Sequence, residues 1–151
     1  MPSYKTALAT SAAFMQCFGN AIRADDSTSV AVALVLNDTV DLIRLSGGTR
    51  LQEIEFDNDD FDTGTTLQIK IGYRSAQPDG VLATNDAYFG TGFTFLQAPT
   101  TNLTRQRLSF APVDFNEDVI IFATVTAAAA GQSAGAKKIT TFATGIAKGT
   151  K

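Results

Sequence analysis

Between residues 65 and 74 the chain alternates, with Leu67, Ile69, Ile71 and Tyr73 separated by Gln68, Lys70 and Gly72. A period of two belongs to a half-buried strand. Upstream, Val40-Asp-Leu-Ile-Arg-Leu45 and Leu51-Gln-Glu-Ile-Glu-Phe56 flank Ser46-Gly47-Gly48-Thr49 and are expected to form a hairpin. Residues 30–36 are apolar at every position, as in a strand covered on both sides, where one of the covers can be a partner chain. Residues 118–126 and 138–146 are β-rich and flank an alanine-glycine stretch, so a second hairpin with a long tip is expected there. Shorter strands are expected over 88–96 and 108–110, with loops at Pro78-Asp-Gly80 and Ala98-Pro99.

The first thirty residues follow a different pattern. Leu8, Ala12, Met15, Phe18 and Ile22 fall at helical spacing, but the segment is rich in Thr and Ser, so both a short helix and an extended arm fit it. Short strands separated by turns, without a βαβ rhythm, predict an all-β chain: an antiparallel sandwich or barrel over 30–151 preceded by an N-terminal arm or short helix over 1–29, with the β-sandwich the expected form. Tyr4, Phe14, Met15 and Phe18 are the arm's candidate partner-binding residues, since aromatic residues and Met are enriched at interfaces.

Composition narrows the chemistry. The chain has 151 residues, one cysteine and no histidine. A lone Cys17 cannot form an internal disulfide, and without histidine the usual zinc, iron and copper sites and the Ser-His-Asp and Cys-His mechanisms fall away. Twelve of the fifteen acids are Asp and threonine leads the polar residues, which suits a loop-rich β protein. Residues 1–118 hold all fifteen acids and eight bases, whereas 119–151 hold four lysines and no acid. Those lysines are too thinly spread for a nucleic-acid face. No apolar run approaches the roughly 20 residues of a membrane span, and the apolar stretch 7–18 is too interrupted for a signal peptide. The sequons Asn37-Asp-Thr39 and Asn102-Leu-Thr104 are then expected to be chance matches.

The most conspicuous polar feature is Glu53-Ile-Glu-Phe-Asp-Asn-Asp-Asp-Phe-Asp-Thr-Gly64. Against a calcium loop starting at Asn58, Thr63 occupies the glycine position and Ile69 the twelfth, so a turn whose Asp side chains cap amides is the better account. Weak calcium binding by Asp57, Asp59, Asp60 and Asp62 is the alternative. Glu53 and Glu55 are about 7 Å apart on one strand face, a spacing open to glycosidase chemistry. The chain lacks the Trp platforms sugar enzymes use, so no enzymatic activity and no cofactor are expected. Gly131-Gln-Ser-Ala-Gly-Ala-Lys-Lys138 has three residues between its glycines where a phosphate-binding loop has four, and is expected to be a flexible tip.

The run from Val40 through Gly47-Gly48, Asp59-Asp-Phe-Asp-Thr-Gly64 and Ile71-Gly-Tyr73, followed by Asp86-Ala-Tyr-Phe89 and the two strands around the small-residue loop, resembles small head proteins of tailed bacteriophages. The resemblance spans about residues 38–147. It implies a capsid decoration, or cement, protein: a sandwich often of jelly-roll type, a homotrimer bound to the major capsid protein on the outer surface of the virion, assembled in the host cytoplasm. It carries over no catalytic, metal or cofactor residues. The competing readings are a receptor- or glycan-binding module on a virion appendage and a hydrolase with a carboxylate pair.

Overall fold

A computed structural model describes residues 3–4, 21–100, 105–132 and 135–149. Among the described residues ten strands run in the order β1 Ser3–Tyr4, β2 Ala21–Val30, β3 Thr39–Leu45, β4 Thr49–Asn58, β5 Gln68–Ser75, β6 Asn85–Phe93, β7 Gln106–Arg107, β8 Val113–Phe115, β9 Val119–Ala127 and β10 Lys137–Ala147. A 3-10 turn, Phe95–Gln97, follows β6. One sheet has the order β1-β3-β9-β5-β6; the other runs β2-β10-β4-β7, with β8 also on β4. All pairings are antiparallel except that of β1 with β3. With the short β1 set aside and β7 and β8 sharing one place, the remaining orders β3-β9-β5-β6 and β2-β10-β4-β7/β8 are those of a jelly roll, in which the chain repeatedly crosses between sheets.

That crossing corrects both expected hairpins. Strands β3 and β4 belong to different sheets, and so do β9 and β10. Gly47 and Gly48 do turn the chain, but into the opposite layer. Gly48 takes a φ of 78°, and its amide donates to the Phe115 carbonyl at 2.7 Å. Residues 30–36 are not a strand: β2 ends at Val30, and the following segment is irregular up to β3. Residues 108–110 likewise form no strand; Leu108 is buried, and its amide donates to the Ile54 carbonyl at 3.0 Å.

The core lies between the sheets. On β5 Ile69 and Ile71 face inward and are fully buried while Gln68 is exposed, as the alternation predicts. On β9, its neighbour in the same sheet, Val119, Ile121, Ala123 and Val125 continue the same buried face. Each large aliphatic so buried contributes about 1.5–3 kcal/mol. Aromatic rings close both ends: Tyr73, Phe89, Phe110 and Phe115 at one, Phe56, Phe93 and Phe95 at the other.

Residues 21–29, assigned by sequence pattern to the arm, form most of β2, which pairs along its whole length with β10. Of the candidate arm residues, Tyr4 belongs to β1, beside Val40 of β3, while Phe14, Met15 and Phe18 lie outside the described residues.

Candidate docking platform

Three loops meet at the end of the sandwich where β2, β4 and β9 finish: 31–38, 59–67 and the described part, 128–132, of the loop after β9. They are stitched by backbone bonds. The Ala129 amide donates to the Leu34 carbonyl at 3.0 Å, and the Thr63 amide to the Gly131 carbonyl at 2.9 Å.

Asp62 organises this platform. Its Oδ1 accepts the amides of Gly64 at 3.0 Å and Ala130 at 2.8 Å. Its Oδ2 accepts those of Thr66 at 2.7 Å and Leu67 at 2.8 Å. Burial raises the pKa of this carboxyl, but the amides of Leu67, Gly64, Thr66 and Ala130 together outweigh it and hold the value at about 2. The other acids of the cluster are also engaged. Asp57 accepts the Thr100 hydroxyl at 3.0 Å, Asp59 the Lys138 amide at 2.7 Å and Asp60 the Asp62 amide at 3.0 Å. The buried Asn58 between them donates its side-chain amide to the carbonyls of Asp59 and Ala98. The acidic run is therefore a set of loop caps pointing to separate partners, as the turn reading expects.

Asp38 does the same for the 31–38 loop. It is buried, accepts the Val35 amide on Oδ2 at 3.0 Å and returns its own amide to the Val35 carbonyl at 3.0 Å. Asn37, at a φ of 69°, donates its amide to the Val125 carbonyl, and the Val125 amide donates to the Asp38 carbonyl. Asn tolerates this left-handed conformation better than most residues. The loop is thereby pinned to β9. It buries Val30 and Leu34 but leaves Val32, Val35 and Leu36 more than half exposed. The apolar run marked these residues in the sequence, though as a strand covered twice. The structure makes them outward knobs on a fixed turn.

Glu53 and Glu55 lie on the open outer face of their sheet, where Glu53 pairs with Arg107 at 3.1 Å and Glu55 with Arg105 at 3.7 Å. At the opposite end, Glu117 accepts the amides of Val81 and Leu82 at 3.1 Å each, fixing the β5–β6 loop. Its carboxyl is lowered by the Ser75 hydroxyl and those two amides, against opposing effects of burial and Asp118. Gly80 sits against Ser75 and Glu117, where a Cβ would overlap the serine hydroxyl.

No protein-family model and no curated protein sequence matches the chain. Among solved structures, the fold is similar to a chain in the capsid of Ralstonia phage GP4, with a TM-score of 0.72, 18% identity and coverage of 99% of this chain and 100% of that one. It is also similar to a chain in the capsid asymmetric unit of cyanophage Pam1, with a TM-score of 0.63, 16% identity and coverage of 89% and 91%. At these identities the likeness establishes the fold.

Proposed function

We propose that this protein is a structural component of a phage virion that binds the outer surface of the capsid and stabilises the shell. Its partner is the major capsid protein, and its working unit is a homotrimer. The observation that carries this reading is the end-to-end agreement with a chain of the GP4 phage capsid, which covers nearly all of both chains. The agreement involves the whole fold, and the sequence resemblance to phage head proteins over about residues 38–147 points the same way. The platform fits as well, because its carboxylates hold loops in place and present apolar side chains, as a binding surface requires. Trimerisation makes the second and third shell contacts intramolecular, so avidity can exceed single-site affinity by about 10²–10⁴. The segment carrying Tyr4, Phe14, Met15 and Phe18 acts in this reading as a docking arm on neighbouring subunits or the shell.

The test is to add purified protein to particles stripped of it and count bound copies by electron microscopy. Occupancy comparable to the main shell protein is the expected result. Absence of binding to the shell, or a copy number near that of a tail, would overturn the reading and favour the appendage.

A further inference from the structure

We propose that Asp26 guards the open edge of β2 against strand addition by a second copy of this chain. The edges of the two sheets differ. One sheet ends in β1, two residues long, and in β6, whose register on β5 shifts twice and whose Gly90 and Gly92 take φ values of 128° and 71°. The other sheet ends on one side in β7 and β8, of two and three residues. Short or bulged strands offer little to an incoming strand. Its other end is β2, whose ten residues pair with β10 without a register shift. A long, regular edge of that kind is a template for another chain. Towards Val30 the edge is closed within the molecule, the Thr28 hydroxyl donating to the Asp41 carbonyl of β3 at 2.6 Å. Among the described residues no strand pairs with β2 on that side.

Asp26 stands where the regular edge meets that closure. Its side chain is buried on the inward face with Thr28 and Val30, and it forms no ion pair among the described residues. Oδ2 has no hydrogen-bond partner, and neither has the hydroxyl of the fully buried Thr141 directly across on β10. Both groups cost stability. What the carboxylate supplies in return is local to the edge. Oδ1 accepts the Ser27 amide at 2.8 Å, and an amide held by its own neighbour is closed to an incoming carbonyl. A strand laid over β2 would also remove the 8% exposure that Asp26 retains, completing the burial of an inward-pointing charge.

Asp26→Val tests this, with Asp26→Ala as a second variant and Asp25→Val, which removes the neighbouring exposed acid, as the control. Two β2 edges meeting antiparallel join whole units in pairs. Sedimentation velocity should therefore show Asp26→Val doubling in mass at concentrations where the full-length wild type keeps one mass. Its denaturation midpoint should not fall, since an unpaired carboxylate gives way to an apolar side chain. In the doubled species the Arg23 and Asp25 amides, which share the open edge with Ser27 by the alternation of the ladder, should exchange with solvent at least tenfold more slowly than in wild type. Asp25→Val should keep the wild-type mass. An Asp26→Val protein at the wild-type mass throughout, an Asp25→Val protein that doubles as readily, or doubling without added protection at Arg23 and Asp25 overturns the proposal. Failure of both Asp26 variants to fold would make the carboxylate a structural cap and overturn it as well. Shell binding enters none of these measurements, so their outcomes leave the capsid reading to its own test.

Discussion

Asp62 accepts the backbone amide of Ala130 across 68 positions of sequence, at 2.8 Å, and in doing so ties the β4–β5 loop to the β9–β10 loop. Charged acceptors make hydrogen bonds of about 1.5–3 kcal/mol, and a buried amide left without its acceptor costs a further 1–3. Asp62→Ala is expected to lower stability by about 2–4 kcal/mol in chemical denaturation. The same carboxylate predicts a pH dependence. Its folded pKa is about 2 against an ordinary 3.8, so its contribution is present above 3.8 and is lost as pH falls toward 2. In Asp62→Asn that acid-side slope should be shallower. An unchanged slope would assign acid sensitivity to other carboxylates.

Some of this was legible in the chain and some was not. The β5 alternation was, because one face of that strand is buried and the period of two records it directly in Ile69 and Ile71. The pairing of strands was not, because Gly47-Gly48 signals a reversal without saying whether the return strand joins the same sheet or the opposite one. Residues 30–36 misled for a related reason: an apolar run carries no periodicity, so it could not reveal that Val30 and Leu34 turn inward while Val35 and Leu36 turn out. Asp62 was recognisable as a turn residue from Asp-Thr-Gly, but its fourth donor comes from Ala130, which no local pattern connects to it.

The facing of β5 predicts unequal effects at adjacent positions. Ile69→Asp places a carboxylate in the core and should cost several kcal/mol of a total of about 5–15, whereas the exposed Gln68→Asp should cost under about 1. Denaturation midpoints compare them; equal losses would contradict the assigned faces.

On the outer face of the β1-β3-β9-β5-β6 sheet, Arg74 pairs with the fully buried Asp41 at 2.6 Å and lies over the Phe122 ring, 5.0 Å from its centroid. Its guanidinium thus balances a buried charge and shields an apolar ring. Breaking a buried pair by removing one partner costs about 3–5 kcal/mol, so Arg74→Ala should cost about 3. Arg74→Lys should recover part of this, keeping charge but not the planar stack. Thermal or chemical denaturation of the two variants measures the difference; equal losses would mean that charge alone contributes nothing there.

Glu117 gives the opposite end a pH response of its own. Its carboxyl lies below the ordinary 4.5, so the bonds it accepts from Val81 and Leu82 are fully formed above 4.5 and are lost as pH falls through the lowered value. The amide resonances of Val81 and Leu82 should therefore titrate together below pH 4.5, and Glu117→Gln should abolish that titration. A titration that persists in Glu117→Gln would place its source in another acid.

The N-terminal segment can be cut at two places, and the fold predicts different outcomes. Removing residues 2–20 leaves β2 whole, with all ten of its residues paired to β10. Removing residues 2–24 also takes Ala21, Ile22, Arg23 and Ala24, the partners of Ile146, Gly145, Thr144 and Ala143. That exposes the end of β10 and uncovers Ala143, which belongs to the core. The longer deletion is expected to lower the denaturation midpoint well below that of the shorter one. The shorter deletion loses β1, a two-residue edge strand, and should still unfold cooperatively. Its expected defect is in assembly, as lower occupancy on stripped shells, because it removes Tyr4, Phe14, Met15 and Phe18 together. Undiminished occupancy would make the arm dispensable for docking. Failure of the shorter chain to fold would instead make residues 2–20 part of the core, so that the domain begins at the first residues of the chain rather than at β2.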